Sequence, residues 1–166
     1  MTTTQAARTA RALTIDVLVK SDLWDEIDDA GAVAKRALAQ AAAALSTARA
    51  ELAIVLTDDS AIRALNRAWR GVDAPTNVLS FPTCRAGGEA CLIGDIVLAY
   101  ETIAREARAQ RKPLAHHVAH LAVHGFLHLL GYDHEGDRDA ETMERLERDI
   151  LRRLAIPDPY RARGKP

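Results

Sequence analysis

Three histidines in the C-terminal half of the chain have the spacing of metal ligands. His124, His128 and His134 follow the pattern H-x3-H-x5-H. Residues four apart lie on one face of a helix, so His124 and His128 can present their imidazoles to a common ion. Gly131 would end that helix and, in a left-handed conformation, turn His134 back toward the other two. Three neutral nitrogens suit zinc and leave a fourth position for water, so the pattern predicts a catalytic site with one Zn²⁺ per chain.

The residue after the first histidine limits the chemistry of this site. The spacing is that of the metzincin proteases, H-E-x-x-H-x-x-G-x-x-H, but Gly125 stands where those enzymes carry their glutamate base. A glycine inside a helix costs about 1 kcal/mol relative to alanine. We expect Gly125 to leave room beside the metal for a sugar-phosphate, which a carboxylate would repel. The pattern therefore argues against peptide hydrolysis.

Other polar residues lie close to the three histidines in the sequence. His120 falls on the same predicted helix face, where it could be a substitute ligand, a hydrogen-bonding partner outside the ligand set, or a packed or solvated histidine. His116 and His117 are expected at the surface. Asp133 and Glu135 flank the third ligand, and we expect one of them to orient a histidine N–H.

A longer set of residues resembles the bacterial YbeY family, and it extends from about Leu52 to Leu151. The resemblance implies a zinc-dependent, single-strand-specific endoribonuclease that matures the 3′ end of small-subunit rRNA and acts in ribosome quality control. Three motifs carry it, in this order: Arg70-Gly71 with Pro75-Thr76-Asn77-Val78-Leu79-Ser80-Phe81-Pro82, then Leu92-Ile93-Gly94-Asp95-Ile96-Val97, then His124 to His134.

The same resemblance implies a catalytic arginine and a set of partners. In the family, the R-G-x-x-x-P-T segment carries a functional arginine that maps onto Arg70, which would neutralise charge that develops on the phosphoryl oxygens. From the residues alone, Arg70 could equally be an exposed cation at a helix C-terminus. The implied partners are RNA, through small-subunit rRNA or the ribosome, together with a small-subunit ribosomal protein and the GTPase Era.

The residues leave the attacking group and two other functions open. Zinc can lower the pKa of bound water to about 7, which supplies a nucleophile without a glutamate, but a ribose 2′-OH could also attack. One alternative function is a zincin-like metallohydrolase that acts on peptides or amides. The other is a non-enzymatic ribosome-assembly factor in which zinc only stabilises the fold.

Composition indicates one domain in the cytoplasm. The chain has 166 residues, 48% of them hydrophobic, and a net charge of -1 from 22 basic and 23 acidic residues, so it can form one core and is not a polycation. No apolar run approaches the roughly 18 residues of a membrane helix, and residues 1–12 lack the apolar block of a secretory signal. Cys84 and Cys91 are expected to be free thiols.

Hydrophobic periodicity predicts an α+β fold with a small mixed sheet of about four strands and about five helices. We expect a disordered lead-in at 1–12, one domain at 13–156 and a loose tail at 157–166. Ile62, Leu65 and Trp69 form one apolar helical stripe. The predicted strands are Leu13–Val19, Glu51–Thr57, Asn77–Phe81 (ended by Pro82) and Leu92–Ala99; the predicted helices are Ile27–Leu45, one from Asp58 to Gly71, Glu101–Arg111, Leu114–Leu130 and Asp137–Leu154.

Overall fold

Four strands form one mixed sheet. A computed structural model describes residues 13–47, 49–85 and 91–161. Its strands lie in the order β1-β2-β4-β3, with β1, β2 and β4 parallel and β3 antiparallel to β4. Strand β3 lies at the edge of the sheet, and among the described residues no strand pairs with its outer side. The strands are β1 (Leu13–Val19), β2 (Ala50–Thr57), β3 (Val78–Arg85) and β4 (Cys91–Ala99).

Five α-helices accompany the sheet in a single domain, which confirms the predicted fold class. The second helix begins where Asp58 accepts a hydrogen bond from the backbone N–H of Ala61, and it ends at Gly71 with φ +70°, as N-cap and C-cap chemistry predict. The helices are α1 (Ala30–Ala44), α2 (Asp59–Arg70), α3 (Tyr100–Ala109), α4 (Leu114–Leu129) and α5 (Asp137–Arg153).

Hydrophobic clusters cover both faces of β4. Ile96 and Leu98 belong to the main core with α1 and α4, whereas Val97 and Ala99 pack with Ile62 of α2 on the other face. This alternation explains why the strand reads as a continuous apolar run. The histidine-bearing helix α4 contacts α1, α3, α5, β3 and β4, so its position is fixed from several sides.

One local prediction is wrong, and it concerns the edge strand. Strand β3 does not stop at Pro82 but pairs with β4 on both sides of it, with a bulge between Pro82 and Arg85. A proline is tolerated on an edge strand because its missing N–H can fall on the unpaired side. Trp69, the last member of the predicted apolar stripe, contacts Phe81 but is 72% exposed.

The expected lead-in at 1–12 lies outside the described residues, as do 162–166 of the expected tail and the side chain of Cys84. In the described part of the tail, Tyr160 is partly buried and contacts α4 and α5. Within the described ranges, no helix is long and apolar enough to cross a membrane.

Candidate metal centre

The three predicted histidines meet at one point of the structure. His124 and His128 lie one turn apart on α4, and Gly131, with φ +94°, reverses the chain so that His134 faces them. One ring nitrogen of each histidine lies within 4.8 Å of those of the other two. Within the described ranges, this is the one group of three His, Cys, Asp or Glu side chains placed to hold a metal ion.

Hydrogen bonds at the far side of two rings fix which nitrogen faces the centre. The Nδ1 of His128 lies 2.9 Å from the backbone carbonyl of Tyr132, and a carbonyl can only accept, so that Nδ1 carries the proton. The Nδ1 of His124 lies 2.5 Å from the carboxylate of Glu147 and donates in the same way. Both Nε2 atoms are therefore left with lone pairs, and they lie 3.1 Å apart.

Two lone pairs at this separation repel each other unless a cation lies between them. A tetrahedral zinc with Zn–N bonds of about 2.0–2.1 Å needs ligand nitrogens roughly 3.3 Å apart, close to the spacing seen. Burial, together with neighbouring His124, lowers the pKa of His128, which keeps this imidazole in the neutral form that a metal requires. The donor set therefore fits a zinc-like ion.

Glu147 on α5 was not singled out by the sequence, although it organises the centre. Its side chain is fully buried and receives hydrogen bonds from His124 on one oxygen and His120, at 3.1 Å, on the other. Burial would raise the pKa of this carboxyl, but the hydrogen bonds from His120 and His124 outweigh it and lower the pKa to about 2. Asp133 and Glu135 do not orient His124 or His128, because Glu147 and the Tyr132 carbonyl accept the N–H groups of these two rings.

His120 is placed outside the group of three ligands, as a partner of Glu147. Tyr160, from the segment after α5, donates its hydroxyl to the same Glu147 oxygen. The Tyr160 ring packs edge-on against His120, with ring centroids 5.6 Å apart. The C-terminal segment thus closes the hydrogen-bonding network behind the histidines.

Gly125 does not leave room beside the metal, contrary to our expectation. A Cβ at this position would lie 2.9 Å from Cγ2 of Ile96 and 3.1 Å from Oγ of Ser80. The hydroxyl of Ser80 also donates to the carbonyl of Gly125 at 3.1 Å. The glycine therefore serves the close approach of α4 to the sheet, which offsets its low helix propensity.

A groove of about 1090 Å³ extends from the histidines along α4. His124 and His134 border it near the centre, and Asn77 and Glu106 border it further away. His117 also lines it, but its side chain is only 4% exposed and is bonded to Glu106 at 2.7 Å, so the prediction of a surface residue is wrong. Asn77 donates to both oxygens of Glu106.

Comparison with known proteins decides the family. The family model "Endoribonuclease YbeY" matches residues 19–155, which is most of the chain and includes all three histidines. The chain belongs to the YbeY family.

Individual relatives agree with this assignment. "Endoribonuclease YbeY" of Bradyrhizobium diazoefficiens is 55% identical over 153 residues, covering 87% of this chain and 84% of the relative. The same-named protein of Bradyrhizobium sp. strain BTAi1 is 49% identical and covers 92% of this chain and 95% of its own. The solution structure of TM1509 from Thermotoga maritima is similar in fold, with a TM-score of 0.55, 22% identity and coverage of 92% of this chain and 100% of that one.

Arg70, the residue matched to the arginine of the YbeY motif, lies at the last position of α2 and is exposed. It does not line the groove that His124 and His134 border within the described ranges. Its neighbour Trp69 packs against Phe81 of β3. Arg70 is therefore placed at the end of α2, outside this groove.

Proposed function

We propose that this protein is a zinc-dependent endoribonuclease that cleaves single-stranded RNA in rRNA maturation. The observation that carries the proposal is the meeting of three imidazole nitrogens within 4.8 Å in a chain that belongs to the endoribonuclease YbeY family. The absence of a glutamate at position 125 supports RNA over peptides as the substrate, because the protease base is missing.

In this proposal the ligands are His124, His128 and His134. Zinc held there supplies Lewis-acid chemistry, which acidifies water and polarises a phosphoryl oxygen. The residues around it provide orientation: Glu147 holds the ring of His124, and the Tyr132 carbonyl holds the ring of His128. Because both rings are fixed before substrate arrives, little reorganisation is needed during the reaction.

We assign Arg70 to the neutralisation of charge on the phosphate that is cleaved. Its planar guanidinium can bind two phosphate oxygens at once, and it is exposed at the end of a helix that also carries Arg67 in its last turn. An RNA strand that reaches Arg70 from the groove passes the edge strand β3. The proposal therefore needs the substrate, or a movement of the loop after α2, to bring the phosphate to the arginine.

The proposed substrate is the 3′ end of small-subunit rRNA, cleaved in the cytoplasm and as part of ribosome quality control. The family resemblance supports this choice, with a small-subunit ribosomal protein and the GTPase Era as further partners. The near-neutral net charge of -1 is consistent with a protein that depends on specific contacts rather than on bulk attraction to RNA.

A cleavage assay tests the function. Purified protein with zinc is incubated with a labelled single-stranded RNA, a duplex RNA and casein in parallel. We expect cleavage of the single strand, little cleavage of the duplex and none of casein. Cleavage of casein would favour the zincin-like hydrolase, and zinc binding without any cleavage would favour the non-enzymatic assembly factor.

A further inference from the structure

The most exposed large apolar side chain of the described residues is Trp69, in the last turn of α2. Its side chain is 72% exposed, and the nearby Val72 is 48% exposed. The ring packs edge-on against Phe81, with centroids 5.7 Å apart and planes at 64°. Most of the indole surface is left facing solvent.

The edge position of β3 explains this exposure. Ile62 and Leu65, earlier on the same stripe of α2, pack on the sheet. At Trp69 the stripe lies over the edge strand, and in the described part of the chain no strand lies beyond Phe81 to cover the ring. Burying a large apolar side chain contributes roughly 1.5–3 kcal/mol, so the fold gives up this stabilisation at Trp69.

The charges around Trp69 indicate what could cover it. Arg70, the next residue along α2, is exposed, whereas Arg67, two positions before Trp69, lies on a different face of the helix. An exposed ring of this size covers one base rather than the patch of several hundred Å² that marks a protein interface. An exposed aromatic face next to a guanidinium group suits a single strand, in which a base stacks on the ring and the cation contacts the backbone.

Trp69 and the histidines lie at the same level of β3, on opposite faces of the sheet. The ring of Trp69 contacts Phe81, and the preceding Ser80 donates to Gly125, the neighbour of His124. Successive side chains of a strand point to opposite faces, so two adjacent residues of the edge strand separate the indole from the metal centre.

We propose that Trp69 is a stacking platform for one base of the single-stranded RNA substrate, near the bond that is cleaved. The strand crosses the free edge of β3, with a base on Trp69 and the phosphate to be cleaved at the histidines. This inference rests on the proposed function in its choice of RNA as ligand. It adds a binding site for a base outside the metal centre and the groove.

The protein carries an internal reporter for this contact. It has two tryptophans, and Trp24 is 2% exposed with its indole N–H donating to the Thr57 carbonyl. Fluorescence quenching by RNA should therefore come from Trp69. We expect rapid mixing of the zinc-loaded protein with a short single-stranded oligoadenylate to quench the emission before cleavage, and the quenching to disappear in Trp69→Phe.

The main test compares Trp69→Ala with wild type in steady-state cleavage of the same RNA. Stacking on an aromatic is worth about 1–3 kcal/mol per base, so we expect KM to rise about 5- to 150-fold with kcat and zinc content nearly unchanged. Trp69→Phe should recover most of the affinity. Leu23→Ala, which removes another exposed apolar side chain, at 39% exposure, is the matched control and should leave KM unchanged.

The outcomes separate this inference from the proposed function. If wild type cleaves the RNA and Trp69→Ala has the same KM within a factor of two, the stacking platform is wrong while the endoribonuclease stands. If Trp69→Ala keeps its KM but loses binding to a ribosomal protein, the surface is a protein interface, which also overturns the inference. If wild type neither binds nor cleaves RNA, the proposed function fails and the inference fails with it.

Discussion

The carboxylate of Glu147 and the imidazole of His124 form a 2.5 Å hydrogen bond inside the protein, between helices α5 and α4. The bond places the proton of His124 on Nδ1 and directs Nε2 toward His128 and His134. Glu147 thus acts on the metal centre through a ligand, without being one. Carboxylates in this position set both the orientation and the basicity of the histidine that they bind.

Glu147→Gln should weaken zinc binding about 10- to 100-fold, the usual loss when an outer partner of a metal ligand is changed. The amide keeps the shape of the side chain but not its charge. Zinc affinity is measured by competition with a chelating dye. Glu141→Gln, an exposed change on the same helix, is the control and should bind zinc like wild type. Unchanged affinity in Glu147→Gln would show that α5 does not support the site.

Gly131→Ala should also weaken zinc binding, although it removes no ligand. A residue with a side chain rarely adopts φ +94°, and positive φ costs about 1–2 kcal/mol outside glycine, so the turn should relax and displace His134. Gly71→Ala provides a matched control, because it strains the end of α2 at φ +70° away from the histidines. We expect both variants to lose thermal stability and only Gly131→Ala to lose zinc affinity. If Gly131→Ala and Gly71→Ala bound zinc equally well, the turn at Gly131 would not be needed to place His134.

The histidine set could be predicted because it is local in the chain. Helical periodicity places His124 and His128 on one face, and a single glycine turn adds His134. Glu147 lies 23 residues after His124. Its role depends on the packing of α5 on α4, which cannot be predicted from the spacing of residues in the sequence. The sequence neighbours Asp133 and Glu135 were expected in that role, and Asp133 instead accepts from the backbone N–H of Glu135.

The continuation of β3 through Pro82 and the exposure of Trp69 have a common physical cause. A local pattern places Ile62, Leu65 and Trp69 on one stripe, but it does not say where the sheet below that stripe ends. The strand order decides this, and β3 is at the edge. The same edge position lets the strand continue through Pro82. The number of strands and helices, and their order along the chain, could be predicted without knowing the order of strands in the sheet, and the structure confirms them.

Arg70→Ala should keep its fold and zinc but lose about 100-fold or more in RNA cleavage, as when one preorganised group that stabilises transition-state charge is removed. Arg70→Lys should recover only part, because a point charge does not reproduce a bidentate guanidinium. Arg152→Ala removes another exposed arginine, in the last turn of α5, and serves as the control. Full activity in Arg70→Ala would place this arginine outside the site.

The pair Glu106 and His117 should make stability depend on pH. Burial lowers the pKa of His117 below 6.5, whereas the hydrogen bond with Glu106 raises it and so limits the shift. Lys112 and His120 lower it further, and both remain in the variant Glu106→Gln. The variant should therefore show a still lower pKa for His117, which an NMR titration of the imidazole measures directly.

The sign of the stability effect follows from proton binding. As pH falls below 6.5, His117 takes up a proton in the unfolded chain before it does so in the folded protein, so the free energy of unfolding decreases. Glu106 does not titrate in the unfolded chain until pH approaches 4.5. Between pH 7 and about 5, the variant should therefore lose more stability than wild type. A constant difference in urea denaturation across that range would contradict the role of the pair.

The most direct test of the account removes and restores the metal. Wild-type protein is stripped with a chelator and titrated with zinc, and bound zinc and cleavage of single-stranded RNA are measured at each step beside His128→Ala. We predict that wild type binds one zinc per chain and that its cleavage of RNA recovers in proportion to the zinc bound. His128→Ala should neither bind zinc to this level nor cleave RNA. Cleavage by the stripped wild type, or full zinc binding and cleavage by His128→Ala, would contradict the assignment of the three histidines as the catalytic metal centre.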